Sequence, residues 1–192
     1  MSLGYWETLA TLAADGTAIT AAARTSMTVG ATGARYTMPG GKLKLGDVLH
    51  VKASGRISSV ITTPGTARFD IAFGASLGIA VMDSLAILLD TVVGNTNVGW
   101  ILDIEGTVRA VGTAANLMWA GRWTCVDLLG AIATPPKGAL TAVLPWNSVP
   151  AVGANFDSTV SNLIDLNFTQ TAATGSCQLH EYVLSLKSST GF

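Results

Sequence analysis

One short stretch has the residue types and spacing of a hydrolase active site. GASLG at residues 74–78 fits the GxSxG pattern, with Ser76 as nucleophile and the order Ser, Asp, His completed by Asp157 or Asp165 and by His180. In α/β hydrolases this pattern forms a strained turn between a parallel strand and a helix. The surrounding sequence instead has the alternation of antiparallel strands, without crossover helices. We therefore expect a Gly-Ser loop here, no catalytic residue and no enzymatic activity.

The other titratable side chains lack the spacing that metal binding or acid–base catalysis needs. His50 and His180 are far apart in the sequence and lie outside any HxH or HExxH pattern. Asp103 and Glu105 share one face of a predicted strand, but no aromatic pattern of a sugar-cleaving cleft accompanies them. We expect no metal and no cofactor, and we expect both histidines at sheet-surface or interface positions.

The two cysteines, Cys125 and Cys177, stand alone without a CxxC spacing. The stretch MSLGYWETLA has neither the basic nor the apolar region of a secretory signal, so we expect the chain to mature in a cytoplasm. Thiols in that reducing compartment behave as small apolar residues. A disulfide between the two cysteines stays an open alternative.

Charged residues are scarce in this chain. Asp, Glu, Lys and Arg make up 12% of the 192 residues, which is about half their share in a typical domain. The net charge of −1 and the lack of a basic cluster argue against a nucleic-acid partner and against binding to an anionic membrane. Because a surface with few charges has little protection against association, we expect neighbouring molecules to cover much of it.

The mean hydropathy of +0.46 draws attention to LGIAVMDSLAILLDTVV at residues 77–93. A membrane-spanning helix needs about 20 nearly uninterrupted apolar residues. Asp83 and Asp90 would each cost roughly 2.5–3.5 kcal/mol near the centre of a bilayer. The stretch therefore predicts two buried strands separated by Asp83 and Ser84.

Alternation with a period of two residues is the dominant pattern along the chain, and it predicts strands. In DVLHVKASGRI the apolar positions are Leu49, Val51, Ala53 and Ile57. TTPGT at 62–66 has the Pro-Gly pair of a type II turn. The turn predicts that the following strand, which alternates through Phe69, Ile71 and Phe73, is half-buried and antiparallel to the strand before it.

Further strands follow the same pattern. WILDIEGTVRA and ANLMWAGRWT predict a hairpin joined through VGTA, with Trp100, Trp119 and Trp123 facing the core. Residues 164–168 and QLHEYVLSL predict the last two strands. No stretch has a helical stripe with caps. Eight to ten strands with short turns predict a single all-β domain over residues 1–192, an antiparallel β-sandwich that is jelly-roll-like.

Two regions are predicted to be irregular. Residues 12–33 are rich in small side chains, and we describe about 1–33 as an N-terminal arm that lies on a neighbour or forms a loose loop. Residues 133–159 hold four of the six prolines and Trp146, and we expect a long loop there. Trp6 and Trp146 are less tied to core faces than the other tryptophans, so both are candidate interface anchors.

Several long segments together resemble one known family. RISSVITTPGTARFDIAFG, RAVGTAANLMWAGRWT, PAVGANFDSTVSNLIDLNFTQT and QLHEYVLSL, with YWETLATLAADGTAI and ARYTMP before them, are similar to a family of tailed-bacteriophage virion structural proteins, and the similarity covers nearly the whole chain. The resemblance implies a capsid decoration or minor capsid protein with a jelly-roll-like fold. It would be made in the bacterial host cytoplasm and located in the virion.

The resemblance also implies partners. A decoration protein stabilises an assembled shell by binding it in preference to the disassembled subunits, so the expected partners are the phage major capsid protein and further copies of this chain. Threefold and sixfold positions on a shell favour a homotrimer. We expect contacts through Trp6, through Pro64 and Gly65, and through Trp146 and Asn147. The alternative is a receptor- or glycan-binding module of a head or tail fibre.

Overall fold

The computed structural model describes residues 5–91, 94–126 and 139–188, and these residues form two antiparallel sheets packed face to face. The larger sheet contains β1 (Tyr5–Thr11), β4 (Val48–Ser59), β8 (Asn95–Ala110), β9 (Asn116–Val126), β10 (Ala139–Leu144), β11 (Ala151–Val152) and β13 (Ser176–Ser188). The smaller sheet contains β2 (Arg24–Ser26), β3 (Tyr36–Met38), β5 (Thr66–Gly74), β6 (Ile79–Asp83), β7 (Ile87–Leu88) and β12 (Asn162–Gln170). The predicted β-sandwich is confirmed, whereas its jelly-roll-like topology stays a prediction.

Strand order sets which elements lie at the edges of the sandwich. The larger sheet runs β1-β13-β4-β8-β9-β10, with β11 also paired to β9. The smaller sheet runs β2-β12-β5-β6, with β3 paired to β12 and β7 paired to β5. The described residues contain no helix. They therefore include no helix long and apolar enough to cross a membrane.

The period-two pattern selects the residues that fill the space between the sheets. In β4 the four predicted apolar positions are all buried: Leu49, Val51, Ala53 and Ile57. In the centre of the core, Phe69 of the smaller sheet contacts Trp100 and Trp123 of the larger sheet, with ring centroids 5.2 and 5.4 Å apart. Phe168, the neighbour of Phe69 across the β12–β5 pair, has its ring centroid 5.2 Å from that of Phe69. Aromatic packing therefore ties the two sheets together, as predicted for these two tryptophans.

The predicted hairpin between residues 100 and 123 is confirmed. β8 and β9 pair antiparallel, with Ala110 opposite Asn116 at the turn. Trp119 is buried as predicted. The two strands predicted within residues 77–93 are present as β6 and β7, with Asp83 as the last residue of β6. The prediction that both are buried is wrong, because Ile79 and Leu88 are 49% and 48% exposed at the sheet edge. Both strands pair with β5, and residues 92–93 lie outside the described part.

The prediction that β5 pairs with the strand before it is wrong. Gly65 has the positive φ of 68° that a type II turn requires, but β4 belongs to the larger sheet and β5 to the smaller one. The chain between Ser59 and Thr66 crosses from one sheet to the other, a separation of about 10 Å. Alternation alone fits either pairing, because it identifies the buried face of a strand and not its neighbours.

β5 is also not half-buried, because its outer face is covered as well. Asp70 and Ala72 on that face are 1% and 0% exposed. Arg24 covers Asp70 and donates two hydrogen bonds to its carboxylate, at 3.0 and 2.5 Å. Asn167 of β12 donates a third to Asp70 at 2.9 Å. Asp70, which the alternation predicts to be exposed to solvent, is therefore buried and paired with Arg24.

The long loop predicted for residues 133–159 is wrong where β10 and β11 lie. All six residues of β10 pair with β9, from Ala139 opposite Val126 to Leu144 opposite Gly121. Prolines 145 and 150 flank short strands at the sheet edge, where a proline does not remove an interior hydrogen bond. Residues 133–138 of the predicted loop lie outside the described part.

The N-terminal segment contacts both sheets of its own chain. β1 pairs with β13, the Gly16 amide donates to the Leu179 carbonyl at 2.9 Å, and Ile19 forms a bridge with Cys177. β2 then pairs with β12 in the smaller sheet. Residues 12–23 therefore form the wall between the β1 edge of one sheet and the β2 edge of the other.

Candidate interaction surfaces

The structure brings together two of the three residue types in the hydrolase hypothesis. Ser76 lies in the turn between the antiparallel strands β5 and β6, so the strand-to-helix elbow of a hydrolase is not formed there. Its Oγ lies 3.4 Å from Asp165 Oδ2 and accepts a hydrogen bond from Arg35 at 3.0 Å. Asp157, the other candidate, instead accepts hydrogen bonds from the amide and hydroxyl of Thr159, which lower the pKa of its carboxyl.

The histidines lie in different places from Ser76. His180 lies on β13 of the larger sheet, and its Nδ1 is 3.0 Å from Asp15 Oδ2. His50 lies on the outer face of that sheet, with Nε2 2.8 Å from Asp103 Oδ1. Within the described residues, no three His, Cys, Asp or Glu side chains are grouped as a metal site would require.

Both cysteines are buried, and neither forms a disulfide bond. Cys177 lies on β13, where complete burial raises the pKa of its thiol far above the usual range. The thiol therefore stays protonated and unreactive at neutral pH. The alternative of a disulfide between Cys125 and Cys177 is not present in this structure.

The residues predicted to make contacts do not form one surface. Trp6 is half exposed on β1, at one edge of the larger sheet, while Trp146 follows β10 at the other edge. Five strand spacings separate these edges, which is about 24 Å. Pro64 and Gly65 lie in the crossing between the sheets, and Gly65 closely approaches Thr171 and Ala172.

Trp146 connects the edges of the two sheets, and Asn147 follows it in the chain. The Trp146 amide donates to the Ser84 carbonyl at 2.8 Å, directly after β6, and the Trp146 side chain packs against the core. Asn147 is exposed and has a φ of 51°. This part of the predicted contact set therefore lies where the β10 edge of the larger sheet meets the β6 edge of the smaller sheet.

Most of the exposed charge of the described residues lies on the outer face of the larger sheet. Charged side chains there alternate with small and hydroxyl residues: Lys52, Arg56, Asp103, Glu105, Arg122, Glu181 and Lys187. Asp103 is hydrogen-bonded to His50 and accepts from Arg122 Nη2 at 2.9 Å. Burial acts to raise the pKa of Asp103, but these two hydrogen bonds outweigh it and lower the pKa.

Two depressions lie on this charged face. A depression of about 780 Å³ is lined by His50, Asp103, Glu105 and Arg122, and one of about 830 Å³ is lined by Lys52, Ser54, Ile101 and Glu181 among others. The indole of Trp6 contacts the His50 ring edge-on, with centroids 6.0 Å apart. The face therefore presents polar groups around shallow recesses, with one exposed aromatic ring at its rim.

The outer face of the smaller sheet carries buried carboxylates that hold the N-terminal segment. Asp165 is fully buried, and its Oδ1 accepts from the hydroxyls of Ser26 at 2.6 Å and Thr28 at 2.5 Å. Asp70 binds Arg24 in the same way, as described above, and this contact raises the pKa of the Arg24 guanidinium. Both carboxylates are thus hydrogen-bonded within the chain, and their role is to hold the N-terminal segment on the smaller sheet.

A third surface is the side of the sandwich where β6 and β7 lie next to β10 and β11. We call this the apolar side and define it by five exposed aliphatic residues: Ile79, Leu85, Leu88, Val149 and Val152. Val143 of β10 is also exposed, but it lies opposite Arg122 on the charged face. Their exposed fractions run from 40% for Leu85 to 74% for Val149. Large exposed aliphatic side chains concentrated on one side of a protein are typical of an interaction surface.

The opposite side of the sandwich is almost uncharged. We call it the alanine side and define it by six exposed alanines of the N-terminal segment: Ala13, Ala14, Ala18, Ala21, Ala22 and Ala23. Its acidic residue, Asp15, lies against His180. Next to these alanines is a depression of about 520 Å³, lined in part by Ala18, Ala21, Val29 and Leu77.

The apolar side was not predicted from the sequence, although part of its signal is visible there. Residues 139–156 contain no Asp, Glu, Lys or Arg, and residues 75–91 contain only Asp83 and Asp90. The aliphatic run in 77–93 predicts burial on both faces of its strands, because hydropathy does not distinguish a buried side chain from an exposed aliphatic one.

No protein-family model matches the chain, and no curated protein matches it.

Proposed function

We propose that the chain is a non-enzymatic structural protein of a tailed-phage virion, in particular a capsid decoration protein that binds the assembled head as a homotrimer. The observation that carries the proposal is the distribution of charge. Two opposite sides of the sandwich are nearly free of charge, one bearing exposed aliphatic groups, while charge is concentrated on the outer face of the larger sheet. Uncharged sides are suited to contacts between subunits. The resemblance to virion proteins suggests that these contacts form on a capsid.

Burial of the apolar side offsets part of the cost of association. Full burial of an aliphatic side chain contributes about 1.5–3 kcal/mol, so covering five that are about half exposed contributes roughly 4–8 kcal/mol. Binding costs about 4–15 kcal/mol in lost translational and rotational freedom. The apolar side therefore supports association when its partner surface is complementary and uncharged, as in a repeated contact between identical subunits.

On a capsid, such a protein acts by mass action. It binds the assembled lattice of the major capsid protein and not the dissociated subunits, and so it raises the free energy needed to open the shell. No reactive group is required for this role. The rigid sandwich supplies a fixed shape whose surfaces contact the shell and the neighbouring copies.

The test uses shells of the phage that encodes the chain, prepared from a mutant that lacks its gene. Purified protein should cosediment with these shells to a saturating stoichiometry, and it should raise the temperature at which they release DNA. Shells of an unrelated phage serve as the control. Failure of the folded protein to cosediment at any concentration would refute the decoration role.

A second function, glycan binding, has one specific observation in its favour. The depression of about 780 Å³ on the larger sheet has His50, Asp103, Glu105 and Arg122 as potential hydrogen-bonding groups, and the Trp6 ring lies beside His50. Sugars are recognised by hydrogen bonds together with stacking on aromatic rings. A glycan array probed with the wild type and with Arg122→Ala tests this function: binding lost in the variant supports it, and the absence of wild-type binding refutes it.

A further inference from the structure

We infer that copies of this chain associate head to tail, with the apolar side of one copy packed against the alanine side of the next. The inference rests on the proposed homotrimer and names the two surfaces that form each contact. It follows from the exposed side chains, the distribution of charge and the positions of the two sides in the sandwich.

The apolar side combines the open edges of both sheets. Within the described residues, β10 pairs only with β9, and β6 pairs only with β5. The segment between β10 and β11 holds these edges together, because Trp146 is bonded to the Ser84 carbonyl and Gly153 lies close to Val81. Leu85 and Val149 project from the two segments that meet there and are 40% and 74% exposed.

The partner of this side must itself be nearly uncharged. Asp83 is paired with Arg68, and its Oδ1 also accepts from the Leu85 amide at 2.9 Å. Asp90 is fully buried. The apolar side thus offers no free charge to a charged partner, and an unpaired charge buried against it would be strongly unfavourable.

A second copy carries a suitable surface on its alanine side. The methyl groups of Ala18 and Ala21 leave room in the depression of about 520 Å³, and Val29 and Leu77 give it apolar walls. The two arginines near this recess are already bonded, Arg24 to Asp70 and Arg35 to the Ser76 hydroxyl. Branched side chains such as Leu85 and Val149 are therefore matched by the aliphatic part of this recess, whose remaining lining consists of threonine and serine residues and Arg24. The charged outer face of the larger sheet offers no such match.

The positions of the two surfaces determine the type of assembly. The alanine side lies at the β1 and β2 edges, and the apolar side lies at the β10 and β6 edges, at the opposite ends of both strand orders. A contact between different surfaces of identical subunits is heterologous, and it gives a ring when the rotation closes. The proposed trimer is the closed form of this contact.

Two variants, each disrupting one surface, test the inference by sedimentation equilibrium. Leu85→Asp with Val149→Asp disrupts the apolar side, and Ala21→Arg disrupts the alanine side. We expect each variant alone to be a monomer, with the association constant lowered about 100-fold or more by the buried charge. An equimolar mixture should form a species of two chains, because each variant keeps the surface that the other has lost.

Matched controls place the same changes elsewhere on the surface. Val160→Asp exposes a similar side chain, at 52%, and Ala120→Arg lies on the outer face of the larger sheet; both should keep the wild-type mass. If Ala21→Arg alone keeps the wild-type mass, the contact does not use the alanine side and the inference is wrong. A monomeric wild type would overturn both the inference and the trimer. A trimer that fails to bind shells would instead refute the decoration role alone.

Discussion

Two glycines that lie close together in the larger sheet are predicted to respond with opposite signs to the same substitution. Gly55 of β4 lies opposite Trp100 of β8, and Gly99 of β8 lies opposite Arg56. A Cβ at Gly55 would lie 1.9 Å from the Gln178 carbonyl oxygen and 2.8 Å from the Trp100 ring. A Cβ at Gly99 would meet no atom within 4 Å. Alanine is therefore excluded sterically at one position and accommodated at the other.

The magnitudes follow from these contacts. At Gly55 the distance to a backbone atom must increase from 1.9 Å to at least 3.0 Å, so β4 and β13 must move apart. Overpacking costs about 1–3 kcal/mol, and we expect Gly55→Ala to lose about 3 kcal/mol because backbone atoms cannot turn aside. Gly99→Ala should gain about 0.5–1 kcal/mol, because alanine has less conformational entropy than glycine in the unfolded chain.

Urea unfolding followed by tryptophan fluorescence measures both effects. All variants are compared at one protein concentration, since the stability of an oligomer depends on it. An unchanged m-value indicates that the free energy of unfolding has changed and not the extent of unfolding. The reasoning would be refuted by a loss below about 1 kcal/mol for Gly55→Ala, or by equal effects at the two glycines.

Three further predictions concern the core, the charged face and the thiol. Phe69→Ala should lower the free energy of unfolding by about 3–5 kcal/mol in the same urea assay, because it leaves a cavity between the sheets; a loss under about 1 kcal/mol would contradict the packing. Because the pKa of Asp103 is lowered in the folded chain, its ionised form stabilises the fold above the unfolded pKa of about 3.9. That contribution should be lost as pH falls through the folded pKa and be absent in Asp103→Asn; identical stability profiles in acid would count against it. Cys177 should stay unlabelled by iodoacetamide at pH 8 in the native protein and react after unfolding, whereas rapid native labelling would show that its burial is wrong.

The layering of the fold could be predicted from the sequence, because burial on one side of a strand leaves a period of two. Leu49, Val51 and Ile57 identify the buried face of β4 without any knowledge of its neighbours. The pairing of β5 could not be predicted in this way. Pro64 and Gly65 describe the shape of a turn, and the same turn serves a hairpin or a crossing between sheets.

The burial of polar residues on the outer face of the smaller sheet was a second feature that could not be predicted from the sequence. Asp70 and Asp165 have the sequence appearance of solvated strand residues, yet both are buried, because the N-terminal segment supplies Arg24, Ser26 and Thr28 to them. Such partners are distant in sequence and meet only in the folded chain.

The interaction surfaces were predictable only in part. Low charge predicts that neighbouring molecules cover part of the surface, and the small residues at 12–33 indicate an unusual segment. The apolar side could not be located, because its aliphatic residues come from two segments about 60 residues apart. They lie on one side only because β6 and β10 occupy adjacent edges of the two sheets.

If this chain is a structural component of a virion, as we propose, purified particles must contain it in a fixed amount. Quantitative mass spectrometry of virions of the encoding phage, with heads separated from tails, should find the chain in the head fraction at a copy number fixed relative to the major capsid protein. Purified virions that lack the chain, while infected cells contain it, would contradict the account.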